Sequence, residues 1–150
     1  MGTCIKMHLN LTKGLALSAN DLTTLTAEEP IDLISRCKSG LETSLFDELA
    51  ACLDLPDIRL ADILHIPKST LTRRKREGKL SFEESERLYR IVRLYQMASD
   101  LLGSPDNARE WLNAPLVAFG GKTPLEFADS DIGVREVEAV LDRIADGVIF

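Results

Sequence analysis

Residues 58–79, IRLADILHIPKSTLTRRKREGK, decide how the rest of the chain is read. Ile58, Leu60, Ala61, Ile63 and Leu64 supply an apolar helical stripe, and His65-Ile66 makes a tight connection. Pro67 falls where a first-turn proline is tolerated, because the N–H it lacks would be unpaired there anyway. A second helix then runs to a stop at Gly78. Two short helices joined by so tight a turn are the parts of a helix-turn-helix.

The charge of this stretch is opposite to that of the whole. Residues 67–79 sum to +5, whereas the 150-residue chain carries −6. With Leu71 turned inward, an advance of about 100° per residue gathers Ser69, Thr72, Arg73 and Arg76 on the far side. Lys68 and Arg74 add charge to the same helix. Hydroxyl and guanidinium groups reach phosphate oxygens and the O6/N7 edge of guanine in a major groove. A basic run on a short helix is ordinarily a solvated face; the preceding helix and turn are what make Lys68, Ser69, Thr72, Arg73, Arg74 and Arg76 candidates for DNA contact. One copy offers few phosphate contacts, so two copies are expected on DNA.

Working outward, a composition 45% hydrophobic and 28% charged is that of an ordinary globular protein. Its length allows roughly 68–70% of the unfolded surface to be buried, enough for one moderate domain or two small ones. No 18-residue apolar run is present, and the N-terminus lacks the features of a signal peptide, so a cytoplasmic, membrane-free protein is expected. Cys4, Cys37 and Cys52 are odd in number and lack Cys-x-x-Cys spacing, which speaks against a disulfide framework or a zinc site. Cys37 and Cys52 are expected to be small buried hydrophobes.

Nothing points to catalysis. His8 and His65 have no metal-ligand spacing, Gly-x-Ser-x-Gly is absent, and Gly120-Gly121 lacks the strand and third glycine of a nucleotide loop. Glu28-Glu29 and Glu83-Glu84 read as first-turn charges that favour the helix dipole. Neither metal nor cofactor is expected.

Residues 1–25 have no sustained period and form an expected flexible arm. Residues 26–103 are expected to be a helical domain for the helix-turn-helix and dimerisation, and residues 104–150 a smaller helical domain. Three capping boxes mark helix starts: Thr26-x-x-Glu29, Ser81-x-x-Glu84 and Thr123-Pro124-x-Glu126. Ser104-Pro105 reads as another start, with Trp111 a core anchor, and a last helix is expected from about Val134 to Asp146. The helix opened by Ser81 has an apolar surface broader than one neighbour requires; the pattern fits equally a partner helix from a second copy covering the surplus and a central core helix. Strand-like alternation is absent, so the chain is expected to be all-α.

Several of these motifs, in this order, resemble the Xre antitoxin family of RES–Xre toxin–antitoxin systems, whose C-terminus is an MbcA/ParS/Xre toxin-binding domain. The likeness covers about residues 28–150 and rests most on Ser69-Thr70-Leu71 with Arg73-Arg74, Leu80-Ser81 with Glu84-Ser85, and Trp111-Leu112. Gly120-Gly121 with Thr123-Pro124-Leu125, and Arg143-Ile144 with Gly147, complete it. The resemblance implies a homodimer that neutralises a RES-domain, NAD-depleting toxin by capping its active-site entrance, and that represses its own promoter. It assigns toxin contact to the last helix and tail: Arg143, Ile144, Gly147, Val148, Ile149 and Phe150. Pro67 departs from the family's turn, where a Ser cap is expected, and Leu116 replaces a more usual polar residue. A stand-alone helix-turn-helix repressor is the alternative reading.

Overall fold

The computed structural model describes residues 22–148, and among these it is helical without strands; an isolated antiparallel bridge joins Glu42 and Lys79. Helices run α1 (Leu22–Ala27), α2 (Pro30–Ser39), α3 (Thr43–Leu53), α4 (Asp57–Ile63), α5 (Lys68–Glu77) and α6 (Phe82–Leu102). They continue with α7 (Pro105–Leu112), a 3₁₀ turn (Val117–Phe119), α8 (Pro124–Phe127) and α9 (Asp131–Ala145). Contacts group into two compact units that divide between Tyr89 and Arg90, within α6. No helix among the described residues is long and apolar enough to cross a membrane.

The expected arm lies outside the described residues as far as position 21, but residues 22–25 are helical, with Leu22 and Leu25 buried. This α1 packs on α3. Its Thr26 hydroxyl donates to the carbonyl of Thr23 within the helix, so the expected capping box with Glu29 does not form. Glu29 itself is the N-cap of α2, and its side chain makes no capping bond. The start of α2 depends on Pro30 instead, whose φ is already helical.

The core of the first unit includes Leu41, Leu45, Phe46, Leu49, Leu53, Leu60, Leu64, Leu71 and Leu88. A clip between two connections holds it together. The Thr43 amide donates to Gly78 (3.0 Å) and the Leu80 amide to Leu41 (2.9 Å), which fixes the start of α3 against the end of α5. The Leu41 amide donates to the fully buried Ser85 hydroxyl at 2.9 Å, and that hydroxyl donates to the Ser81 carbonyl at 2.7 Å. Ser85→Ala should therefore cost about 1–3 kcal/mol, since it leaves a buried N–H without its acceptor. An unchanged urea midpoint would mean that the amide has another partner.

Most of the broad apolar face on α6 is covered within the chain. Leu88, Ile91, Val92, Tyr95 and Ala98 are buried, Met97, Leu101 and Leu102 are half-buried, and Phe82 is exposed. A second copy is thus not required to bury that face. Cys37 is a buried free thiol whose pKa is raised by burial and then by the Glu86 carboxylate. Cys52 is also buried.

Candidate nucleic-acid interface and C-terminal binding unit

The turn between α4 and α5 is built from backbone geometry. The Ile66 amide donates to Ala61 (2.8 Å) and the His65 amide to Asp62 (3.2 Å), the paired bonds that close a helix through a left-handed residue. That residue is His65, at φ +54°. Arg87 of α6 donates to the Leu64 carbonyl at 2.8 Å, so a neighbouring helix holds the end of α4. Pro67 is the N-cap of α5, one position before the expected first-turn place, with φ −58° and ψ 146° and no side-chain cap. The departure seen in the sequence, proline where a Ser cap is expected, thus leaves the first-turn amides of α5 without a side-chain acceptor.

Leu71 is the one buried residue described on α5. Lys68, Ser69, Thr72, Arg73 and Arg76 are all exposed, so five of the six candidate DNA contacts lie on the solvent side of this helix. The Thr72 hydroxyl donates to the Lys68 carbonyl at 3.0 Å and must rotate before it can donate to a phosphate. The Arg73 side chain is 56% exposed, with Glu77 3.9 Å away, a contact that solvent weakens.

Arg74 is not brought to that face. Its Nε donates to both oxygens of Glu84 at 2.9 and 2.8 Å, and the two side chains are only 22% and 8% exposed. Glu84 is also the capping residue of α6: it accepts from the Ser81 amide (3.0 Å), while its own amide donates to the Ser81 hydroxyl (3.2 Å). One carboxylate thereby caps α6 and tethers α5 to it. Burial raises the Glu84 pKa, but Arg74 and Ser81 outweigh it and hold the carboxyl below its ordinary value. The same hydrogen bond raises Arg74 further above its already high value.

Lys75 is anchored as well. It pairs with Asp57 and, at 3.0 Å, with Asp47, and its ammonium lies 5.5 Å from the centre of the buried Phe46 ring. Burial pulls its pKa down, yet the two aspartates prevail and the pKa is raised. Adjacent cations in one run therefore serve different purposes: Arg74 and Lys75 fasten α5 to the unit, while Lys68, Arg73 and Arg76 face solvent.

In the second unit, α6 is ion-paired to α9 through Arg93 and Glu138, and through Arg90 and Asp131 at 3.8 Å. Thr123 and Glu126 form the expected capping box of α8. Helix α9 starts three residues earlier than expected, because Ser130 caps it by accepting from the Gly133 amide at 3.0 Å. Ser130-Asp131, a cap followed by a first-turn acid, was the available signal. At its other end the Val148 amide donates to Arg143 (2.9 Å) and the Gly147 amide to Ile144 (3.1 Å), with Gly147 at φ +77°.

Of the residues assigned to protein contact, Arg143, Gly147 and Val148 are exposed and Ile144 is half-buried. Ile149 and Phe150 lie outside the described residues. Trp111, expected as a core anchor, is only partly buried, whereas Ala108 and Leu112 of the same helix are fully enclosed.

Residues 32–93 match the antitoxin Xre-like helix-turn-helix domain, and residues 97–147 match the antitoxin Xre/MbcA/ParS C-terminal toxin-binding domain. Among similar proteins, an Antitoxin Xre of Yersinia enterocolitica is 29% identical over 126 residues, spanning 83% of this chain and 85% of that protein. An Antitoxin Xre of Pseudomonas putida is 36% identical over 83 residues, 55% of this chain and 52% of the relative. A Sphingobium protein named Prs ADP-ribosylating antitoxin is 27% identical over 128 residues, 79% of this chain and 80% of its own length. With an Xre-like helix-turn-helix domain and an Xre/MbcA/ParS toxin-binding domain matched in order, the chain belongs to the Xre-type antitoxins.

Proposed function

We propose that this antitoxin neutralises a RES-domain, NAD-consuming toxin and represses its own operon as a homodimer. The observation that carries the DNA part is the sorting of cations on α5: Arg74 and Lys75 are held by carboxylates, while Lys68, Ser69, Thr72, Arg73 and Arg76 face water. Surplus positive charge on one face of a recognition helix is what a polyanion requires. Two copies would place two such helices about 34–36 Å apart, one turn of duplex, and would double the phosphate contacts.

The toxin part is supported by the C-terminal domain match and by a relative whose name refers to ADP-ribosylation, a reaction that consumes NAD. Inhibition is steric: the last turn of α9 and the tail, from Arg143 and Ile144 through Gly147 to Phe150, cover the toxin's substrate entrance, and no chemistry is needed. The test is a titration of the promoter fragment with purified protein, with and without a co-expressed RES-domain protein, while cellular NAD is followed on co-expression. Restored NAD and a shifted promoter support the reading. Tight operator binding with no effect on NAD would favour a stand-alone repressor.

A further inference from the structure

The described tail is short, yet the second unit exposes apolar side chains elsewhere. Val117 is 97% exposed and Ile132 is 75% exposed, although both lie in a domain otherwise well packed. They belong to one neighbourhood. Val117 is two residues before Phe119, whose ring stacks on Phe127 with centroids 4.7 Å apart. Ile132 immediately precedes Gly133, which packs directly against the Phe127 carbonyl. Phe127 thus meets chain neighbours of both exposed residues, Phe119 near Val117 and Gly133 beside Ile132.

Their presentation is rigid. The Leu116 amide donates to Lys122 (3.1 Å), and the amides of Phe119 and Gly121 donate to Leu116 (3.1 and 3.0 Å), so Val117 sits at the tip of a hydrogen-bonded loop. Ile132 lies in the capped first turn of a 15-residue helix. A side chain already held in place loses little entropy on docking, which is the character of an interface anchor.

The patch is also continuous with the surface assigned to the toxin. At 100° per residue, Ile132, Glu136, Ala139 and Arg143 lie within about 40° of one line along α9. Val134, Val137 and Leu141 occupy the opposite, buried side. The toxin-binding domain match ends at Gly147, so it contains Val117 and Ile132 but stops before Val148.

We infer that Val117 and Ile132 are apolar anchors for the toxin, which seats them in a nonpolar socket while its surface runs along the outer face of α9 towards Arg143. This inference rests on the toxin-binding reading. The test is isothermal titration of the full chain and of Val117→Asp/Ile132→Asp against a purified RES-domain protein, with melting curves of both chains. Because both sites are exposed, the variant is expected to melt like the parent and to bind about 100-fold or more weakly. Should the aspartates unfold the chain, Val117→Ala/Ile132→Ala is expected to weaken binding about 10-fold. Unchanged affinity in a folded variant overturns the inference alone; absence of binding by the parent overturns the toxin reading as well.

Discussion

Replacing Gly133 by alanine should lower the stability of the second unit by about 3 kcal/mol, and its melting point by roughly 10 °C. A Cβ at this position would lie 1.8 Å from the Phe127 carbonyl oxygen and 2.9 Å from its carbon. Those are backbone atoms at the end of α8, so relief requires shifting α9 away from α8. That shift would open the packing of Val134 and Val137 and move Ile132 relative to Val117. Urea denaturation of the single variant, followed by the partly buried Trp111, measures the cost. A change below about 0.5 kcal/mol would mean that α8 and α9 do not meet as described.

The second large effect is expected at Glu84. Glu84→Ala removes the carboxylate that pairs with Arg74 and accepts from the Ser81 amide, leaving a partly buried cation and a helix start unpaired. Full burial would set the cost at about 3–5 kcal/mol, and the partial exposure of Arg74 brings it to about 2–3 kcal/mol. Glu84→Gln isolates the charge, since glutamine still serves in a capping box. Because the folded carboxyl titrates below its ordinary 4.5, its stabilisation is complete above that pH and fades as pH falls through the folded value. The stability difference between parent and Glu84→Gln should thus be largest near neutrality and shrink on acidification. A difference that stays constant with pH would show that the charge contributes nothing.

The all-helical class was legible in the sequence because helix signals repeat: apolar residues at helical spacing, capping residues and glycine stops. Ser81-x-x-Glu84 and Thr123-Pro124-x-Glu126 work as capping boxes because each is followed by residues free to start a helix. Thr26-x-x-Glu29 carries the same letters, but its threonine already lies inside α1. Local spelling does not reveal that. The division at Tyr89 and Arg90 falls inside an unbroken helix, where the sequence has no punctuation, whereas Gly103 marks only where that helix ends.

At the candidate DNA face, periodicity distinguished inward Leu71 from outward Arg73 and Arg76. It did not distinguish Arg74 and Lys75, because their fates depend on Glu84, Asp47 and Asp57, contributed by other elements. Arg87, which holds the end of α4, was hidden for the same reason. Val117 and Ile132 were missed in the opposite sense. Their hydrophobicity reads as burial, and only the folded structure reveals them as exposed.

The central claim, that the outer face of α5 grips DNA while a different surface meets the toxin, is tested most directly by the salt dependence of operator affinity for the parent and for Arg73→Ala/Arg76→Ala. Each lost phosphate contact lowers the slope of log affinity against log salt by about 0.9, so a dimer losing two per copy should show a slope shallower by about 3–4. Affinity should fall by about 100-fold or more with toxin neutralisation unchanged. An unaltered slope, or neutralisation lost together with DNA binding, would contradict the account.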